Sequence, residues 1–378
     1  MLESGGENTG TVGQNFVSGS QIGGGHGCYA AASEFADKGH AVRLWRQNAD
    51  AFRSVLDKRK LKLTDHLGTR DVAIHLPTLD LREAIAGAEL VVIPLPCTVH
   101  LTLAKMIAPH FEDGQVVYIP PATFGTYIFA KALADSGNTA QVAFAETGTL
   151  PYLARKQTED HVRVSVYATR LPTGVFPARA SDRALSVISK VYSGVEPLKD
   201  ALDGALMNAG PIIHPPLIMM NAGPLEHFEA WDIHNEGTVS SIRRVTDALD
   251  QERVKLREAL GYGAPHFPLS DHYDDDAEEW MYGDSSHEKL TDSGDWRENI
   301  DLLSHRYMRE DSALGLSFLS SLGDLTGTPL PLVNGFLSIA SGITGEDLRA
   351  SGRTLESLAL DALSVNELRA LLQDGFVA

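Results

Sequence analysis

The stretch from Phe16 to Gly39 limits the possible folds more than any other. FVSGSQI reads as a strand, GGGHGC as a tight glycine turn, and YAAASEFADKGH as a helix with alanines and Phe35 on helical spacing and Gly39 as its stop. A strand that turns on glycines directly into a helix aims backbone N–H groups and the positive end of the helix dipole at one point, which suits a pyrophosphate. Gly23, Gly25 and Gly27, with His26 among them, are the candidates for that contact. The G-x-G-x-x-G spacing puts its last glycine at Cys28, and Ser18, Gly19, Ser20 and Gln21 make the strand unusually polar, so the turn alone is a weak signal.

Its context strengthens it. AVRLW at 41–45 reads as a second strand, arriving about 20 residues past the glycines, where a ribose would be recognised. That position is Trp45 or Arg46. An acidic residue there would bind the ribose hydroxyls of NAD. Arg46, followed by Gln47 and Asn48, suits a 2′-phosphate and favours NADP with NAD as the alternative, although a surface arginine at a strand end fits nearly as well. ELVVIPLP (89–96), TVHLTLAKMIAPHF (98–111) and QVVYIPPATFG (115–125) read as strand, helix and strand, and VAFAETGTLPYLAR (142–155) and HVRVSVYATR (161–170) add further strands. The alternation predicts an α/β fold with an N-terminal Rossmann-type, doubly wound parallel sheet whose ligands lie beyond the carboxyl ends of the strands. Pro96, Cys97, Thr98, Pro121, Ala122 and Thr123 would line that crevice, and Glu146 and Thr147 follow a strand in the same way.

After about Val195 the texture changes. Segments 198–210, 240–261 and 299–310 carry apolar residues at three and four spacing, so the C-terminal part is expected to be helical. A chain of 378 residues, 43% hydrophobic, is long enough for two cores, because single cores stop growing at roughly 250–300 residues. The expected organisation is a tail at 1–15, a dinucleotide-binding Rossmann domain at 16–196 and an all-helical substrate and catalytic domain at 197–378. The acidic stretch SDHYDDDAEEWMYGDSS (270–286) reads as a solvated loop, with a lid over the site or a cation-attracting rim as the lesser readings.

Charge and cysteine usage narrow the partners. A net charge of -18, from 32 basic and 50 acidic residues, argues against nucleic acid and against an anionic membrane surface. Apolar runs stop well short of the ~20 residues a membrane span needs. Cys28 and Cys97 are too few for a disulfide framework and no charged-then-apolar leader opens the chain, which together point to a cytoplasmic protein; small-molecule substrates are the expected partners, and a homodimer stays open. No HExxH or CxxC pair occurs, and His227, His234, His266 and His272 have no ligand spacing, so no metal is expected.

One histidine stands apart. In NAGPIIHPPLIMMNAG (208–223), His214 sits among Ile212, Ile213, Leu217 and Ile218, with Pro211, Pro215 and Pro216 removing backbone donors around it. Taken alone, the stretch fits a core histidine bonded to a backbone carbonyl better than a catalytic one.

In order, GGGHG with AVRLW, AETGTLPYLAR, NAGPIIHPPLIMMNAG, REDSALGLSFLSSLGDLTGTPLPLVNGFLSIASGITGEDL and GRTLESLAL resemble the octopine/nopaline, or opine, dehydrogenase family over nearly the whole chain from Ile22 onward. The resemblance implies a dinucleotide-binding domain followed by a helical domain. It also implies NAD(P)H-dependent reduction of the imine formed from an amino acid or other amine and a 2-oxo acid such as pyruvate, or the reverse oxidation. Carried over, the catalytic histidine falls on His214 and its carboxylate partner on Asp311, where Ser312 and Ala313 depart from the family's usual hydrophobic residue and proline. Asn208 and Arg306 become candidates for substrate binding, an ordinary salt bridge being the other reading of Arg306. Two further readings stand beside this one: a simple 2-oxo acid or ketone reductase on the same scaffold, and a non-catalytic NADP-binding sensor.

Overall fold

The computed structural model describes residues 16–274, 276–283 and 286–376. The tail expected at 1–15 lies outside them. Strands β1 (Ser18–Ile22), β2 (Ala41–Trp45), β3 (Lys60–Asp65), β4 (Gly68–Ala73), β5 (Leu76–Thr78), β6 (Leu90–Val92), β7 (Val116–Ile119), β8 (Ala143–Thr147), β9 (Tyr152–Thr158), β10 (His161–Tyr167), β11 (Leu171–Phe176) and β12 (Val195–Pro197) form two sheets. The larger has eight strands in the order β12-β11-β8-β7-β6-β1-β2-β5, parallel throughout except where β11 meets β8. The chain leaves β1 toward β2 on one side and returns to β6 on the other, which opens a crevice beyond the ends of β1 and β6.

Both faces of this sheet are covered, and the alternation of its strands shows it. Leu90 and Val92 point into one core with Tyr29, Phe35 and the alanines of helix α1 (His26–Asp37), while Val91 and Ile93 point into the other. Gly19 in β1 is required by this packing, because a Cβ there would collide with the Phe35 ring. The second core runs without a break into the C-terminal helices, with Phe124 stacked on Phe318 at 5.5 Å.

Three expectations are corrected. HVRVSVYATR does not extend the parallel sheet: β10 belongs to a separate four-stranded sheet, β4-β3-β10-β9, packed on α1, and its alternation of buried Val162, Val164 and Val166 with more exposed neighbours reflects one covered face. The helix expected over 198–210 is confined to Ala201–Ala205, capped by the Asp200 carboxylate on the Asp203 N–H at 3.0 Å, and a second helix starts at Gly210 with Pro211 in its first turn. The helix expected over 299–310 begins only at Tyr307, because Asp301 holds a turn through the Leu303 N–H (3.0 Å) and the Ser304 hydroxyl (2.6 Å).

The C-terminal part is otherwise helical, built around the long helix Ser240–Ala259. Two arginines of that helix are buried with carboxylates. Arg253 pairs with Asp250 at 2.6 Å, and Arg257, fully buried, pairs with Asp203 at 2.6 Å. Removing one partner of such a pair strands the other charge. Asp203→Ala is therefore expected to cost about 3–5 kcal/mol of stability, seen as a lower urea midpoint by circular dichroism, and Asp203→Ala with Arg257→Met should recover much of it. An unchanged midpoint in the single variant would contradict this.

Candidate functional site

His214 lies in the helix Gly210–Met219, which continues through Pro215 and Pro216 although neither has an N–H to give to the ladder. Its Nδ1 is 2.7 Å from Oδ2 of Asp311, 97 residues away, on the π-helical segment Tyr307–Leu316. Gly210, one turn before His214, makes the approach possible, since a Cβ there would collide with the Asp311 carboxylate. The imidazole stacks on Tyr307, one turn before Asp311, with ring centroids 3.8 Å apart and planes 20° from parallel. His234 closes the site edge-on, 5.9 Å from His214 and 5.7 Å from Trp296.

Burial, then the guanidinium groups of Arg306 and Arg155, hold His214 well below the ordinary histidine range. Burial pushes Asp311 up to about 7, against the pull of Arg306. The imidazole is therefore held neutral, and where Asp311 is ionised it is Nδ1–H that donates to the carboxylate. The carboxylate thus selects one tautomer and leaves the Nε2 lone pair free to take a proton. Arg306 opens into the cleft; among the described residues its side chain hydrogen-bonds only the Tyr307 hydroxyl, at 3.4 Å, and no carboxylate lies within ion-pair distance. An unpaired guanidinium beside the imidazole is suited to a substrate carboxylate. Arg155 is held differently, pairing with Glu298 at 3.0 Å and lying 3.5 Å above the Trp296 ring.

The glycine turn fits a dinucleotide. Gly23 adopts φ +122 and Gly25 has nothing within 4 Å of where a Cβ would stand, leaving open space at the start of α1. No side chain caps α1, so its first N–H groups remain available to an anion. Gly27, by contrast, faces Leu150 and Pro94, so its missing Cβ serves packing of the turn. Cys28 turns its thiol inward, donating to the Ile22 carbonyl at 3.3 Å, and burial pushes it up to about 12; only its backbone remains on the ligand side. His26 accepts the Lys156 N–H on Nδ1 at 2.8 Å, and burial, with Arg155 next, pushes it down to about 4.

Two other predicted residues hold the crevice rather than line it freely. Glu146 is fully buried and accepts the N–H groups of Phe124 (2.9 Å) and Thr126 (3.3 Å). It thereby fixes a loop in which Thr123 (φ 50) and Phe124 (φ 64) are left-handed. Its proposed contact with cofactor is replaced by this task, because both oxygens are used by the loop. Asn208 spends its amide on the Thr123 hydroxyl (2.8 Å) and the Gly210 N–H (3.0 Å), so it positions the histidine helix instead of presenting a free group to substrate. Pro96 is exposed at the mouth beyond β6.

Two residues that no pattern singled out tie this crevice to the helical part. Glu310, adjacent to Asp311, accepts the Cys97 N–H at 2.7 Å. Arg353, in GRTLESLAL, donates to the carbonyls of Ala122 (2.8 Å), Thr123 (2.5 Å) and Cys97 (3.0 Å). The acidic stretch expected to be solvated is also partly docked: Trp280, Met281 and Tyr282 are buried, and the Tyr282 hydroxyl meets the Thr149 hydroxyl at 2.6 Å and the Leu150 carbonyl at 2.8 Å. Its apolar WMY triplet outweighs its carboxylates there. Among the described residues there is no group of three His, Cys, Asp or Glu placed to hold a metal, and no helix long and apolar enough to cross a membrane.

A dinucleotide turn facing a buried histidine and carboxylate across one crevice is the arrangement of a nicotinamide-dependent oxidoreductase. Residues 197–344 match the family model of the NAD/NADP octopine/nopaline dehydrogenase alpha-helical domain. The chain is 27% identical over 362 residues to an opine dehydrogenase of Arthrobacter sp. (strain 1C), covering 93% of this chain and 98% of that one. It superposes on octopine dehydrogenase in complex with NADH and agmatine with a TM-score of 0.71 at 18% identity, covering 96% and 99% of the two chains. On NADP+-bound yersinopine dehydrogenase the TM-score is 0.63 at 12% identity, covering 95% and 98%. Residues 197–344 thus carry the alpha-helical domain of that family, the chain resembles opine dehydrogenases over nearly its full length, and it is an NAD(P)-dependent oxidoreductase acting on CH–NH donors.

If His214 and Asp311 act as one unit, His214→Ala should lower kcat by roughly 10²–10⁴-fold while cofactor binding persists. Asp311→Asn should cost as much or less, and the double variant should be scarcely worse than His214→Ala. Steady-state kinetics with fluorescence-monitored cofactor binding check this; multiplicative losses would mean that the two residues work independently.

Proposed function

We propose that this enzyme condenses an amino acid or another amine with a 2-oxo acid, such as pyruvate, and reduces the product to a secondary amine, or runs the reverse oxidation. The observation that carries the reading is the neutral, Asp311-oriented His214 with the unpaired Arg306 beside it. Arg306 would hold the oxo-acid carboxylate and so place its carbonyl against the imidazole. His214 Nε2 would take a proton from the incoming ammonium, freeing the amine to attack that carbonyl. The imidazolium, stabilised by Asp311, would return the proton to the carbinolamine hydroxyl, which leaves as water and gives the iminium. A reduced nicotinamide cofactor, its pyrophosphate held at the glycine turn, would supply the hydride.

Residues 16–196 would carry the cofactor and 197–378 the substrates and the proton chemistry. Two free, buried cysteines suit the reducing cytoplasm, and the net charge of -18 speaks against a nucleic-acid partner. Arg46 supports NADP over NAD: it lies at the end of β2 across Gly24, where a Cβ would collide with its side chain, and is steadied by the Tyr29 hydroxyl (3.2 Å) and the Ala51 carbonyl (2.6 Å).

Two tests follow from this reading. Oxidation of NADPH by a 2-oxo acid should require an amine as second substrate, with a secondary amine found by mass spectrometry. Reduction of the oxo acid alone to its hydroxy acid at the same rate would favour the simple reductase, and tight cofactor binding without turnover of any pair would favour the sensor. Arg46→Asp should reverse a preference for NADPH over NADH, since one charge-assisted contact contributes about 1.5–3 kcal/mol, or roughly tenfold to a hundredfold in affinity. Equal binding of both cofactors before and after the substitution would return Arg46 to the surface.

A further inference from the structure

The four-stranded sheet reaches the cofactor turn through Lys156. Lys156, on β9, hydrogen-bonds through its backbone N–H to His26, and its ammonium lies 3.3 Å from the Gly24 carbonyl and 3.8 Å above the Tyr29 ring. Arg46 approaches the same two residues from β2, over Gly24 and onto the Tyr29 hydroxyl. Two cations from different sheets thus converge on one spot. No carboxylate among the described residues lies within ion-pair distance of either one, in a chain with 50 acidic residues. Asp160, which acts on Lys156 from farther off, is already taken by Lys58 at 2.6 Å and Ser54 at 2.7 Å.

We infer that Lys156 is a second specificity residue, forming with Arg46 a clamp for the 2′-phosphate of NADP(H). This rests on the reading of the glycine turn as the cofactor site. Burial, and after it Arg46, push the half-buried Lys156 ammonium down to about 8, with Cys28, Glu159 and Asp160 pulling the other way. Two like charges held together without a counter-ion favour an anion between them, and a phosphate supplies it. The pyrophosphate, by contrast, is served by the uncapped start of α1.

The pair adenosine 2′,5′-bisphosphate and adenosine 5′-phosphate differs only in the group at issue. Isothermal titration of wild type, Lys156→Met and Lys156→Arg with both nucleotides, and fluorescence titration with NADPH and NADH, therefore isolate it. Lys156→Met should lose about tenfold to a hundredfold in affinity for the bisphosphate and NADPH, with changes below about threefold for the monophosphate and NADH, and Lys156→Arg should restore most of the loss. Retained monophosphate binding also reports that the Met variant is folded. Equal weakening of both members of each pair, or no change in either, would overturn the clamp while leaving the cofactor site standing. Failure of the wild type to bind any of the four would overturn the cofactor-site reading itself, and the clamp with it.

Discussion

The contact between the Asp311 carboxylate and His214 Nδ1, 2.7 Å long, is the interaction on which the rest of the site depends. It joins segments that are 97 residues apart, and each segment is shaped to permit it. Gly210 leaves room for the carboxylate, and the π-helical turn from Tyr307 brings a stacking ring and Asp311 to the same imidazole. An insertion of this kind in a helix is common where function demands an unusual side-chain direction. Two neighbours, one on this segment and one just before it, then extend the arrangement: Glu310 reaches the cofactor crevice at Cys97, and Arg306 stays unpaired in the cleft.

Buried charged groups, more than apolar contacts, set the register between crevice and catalytic pair. Glu310 and Arg353 hydrogen-bond backbone groups of the loops after β6 and β7, and Glu146 holds the left-handed residues of the latter loop from the sheet side. Each hydrogen bond to a charged group contributes on the order of 1.5–3 kcal/mol, and losing one partner leaves the other unsatisfied. Such a junction resists sliding better than an apolar interface, whose contacts are non-directional. Precise placement of a hydride donor against an acceptor needs that resistance.

The strand, glycine turn and helix, the parallel alternation and the helical C-terminal part were legible because each repeats a period over many residues. The histidine and its carboxylate were legible only through resemblance, since a lone histidine in an apolar run gives no sign of its partner 97 residues away. The four-stranded sheet was less legible: KLKLTD turns Leu61 and Leu63 inward between Lys60 and Lys62 but over only six residues, and GTRDVA is largely exposed, with Val72 its one buried side chain. Glu146 and Asn208 fell in motif positions that suggested ligand contact, yet burial and nearby N–H groups turned them to loop positioning. Arg353 and Lys156 have no pattern at all; a single long cation acquires meaning only when the fold shows what it reaches.

The central claim is that the resting site holds a neutral imidazole, protonated on Nδ1 toward Asp311, with Nε2 free for substrate. Nitrogen-15 NMR of histidine-labelled protein, with His214 assigned by substitution, reads that state directly over about pH 6 to 8. The account predicts a neutral ring throughout that range, with its proton on Nδ1 toward pH 8, where Asp311 is ionised, and loss of this tautomer in Asp311→Asn. An imidazolium at neutral pH, or a ring protonated on Nε2 at pH 8 in the wild type, would contradict it.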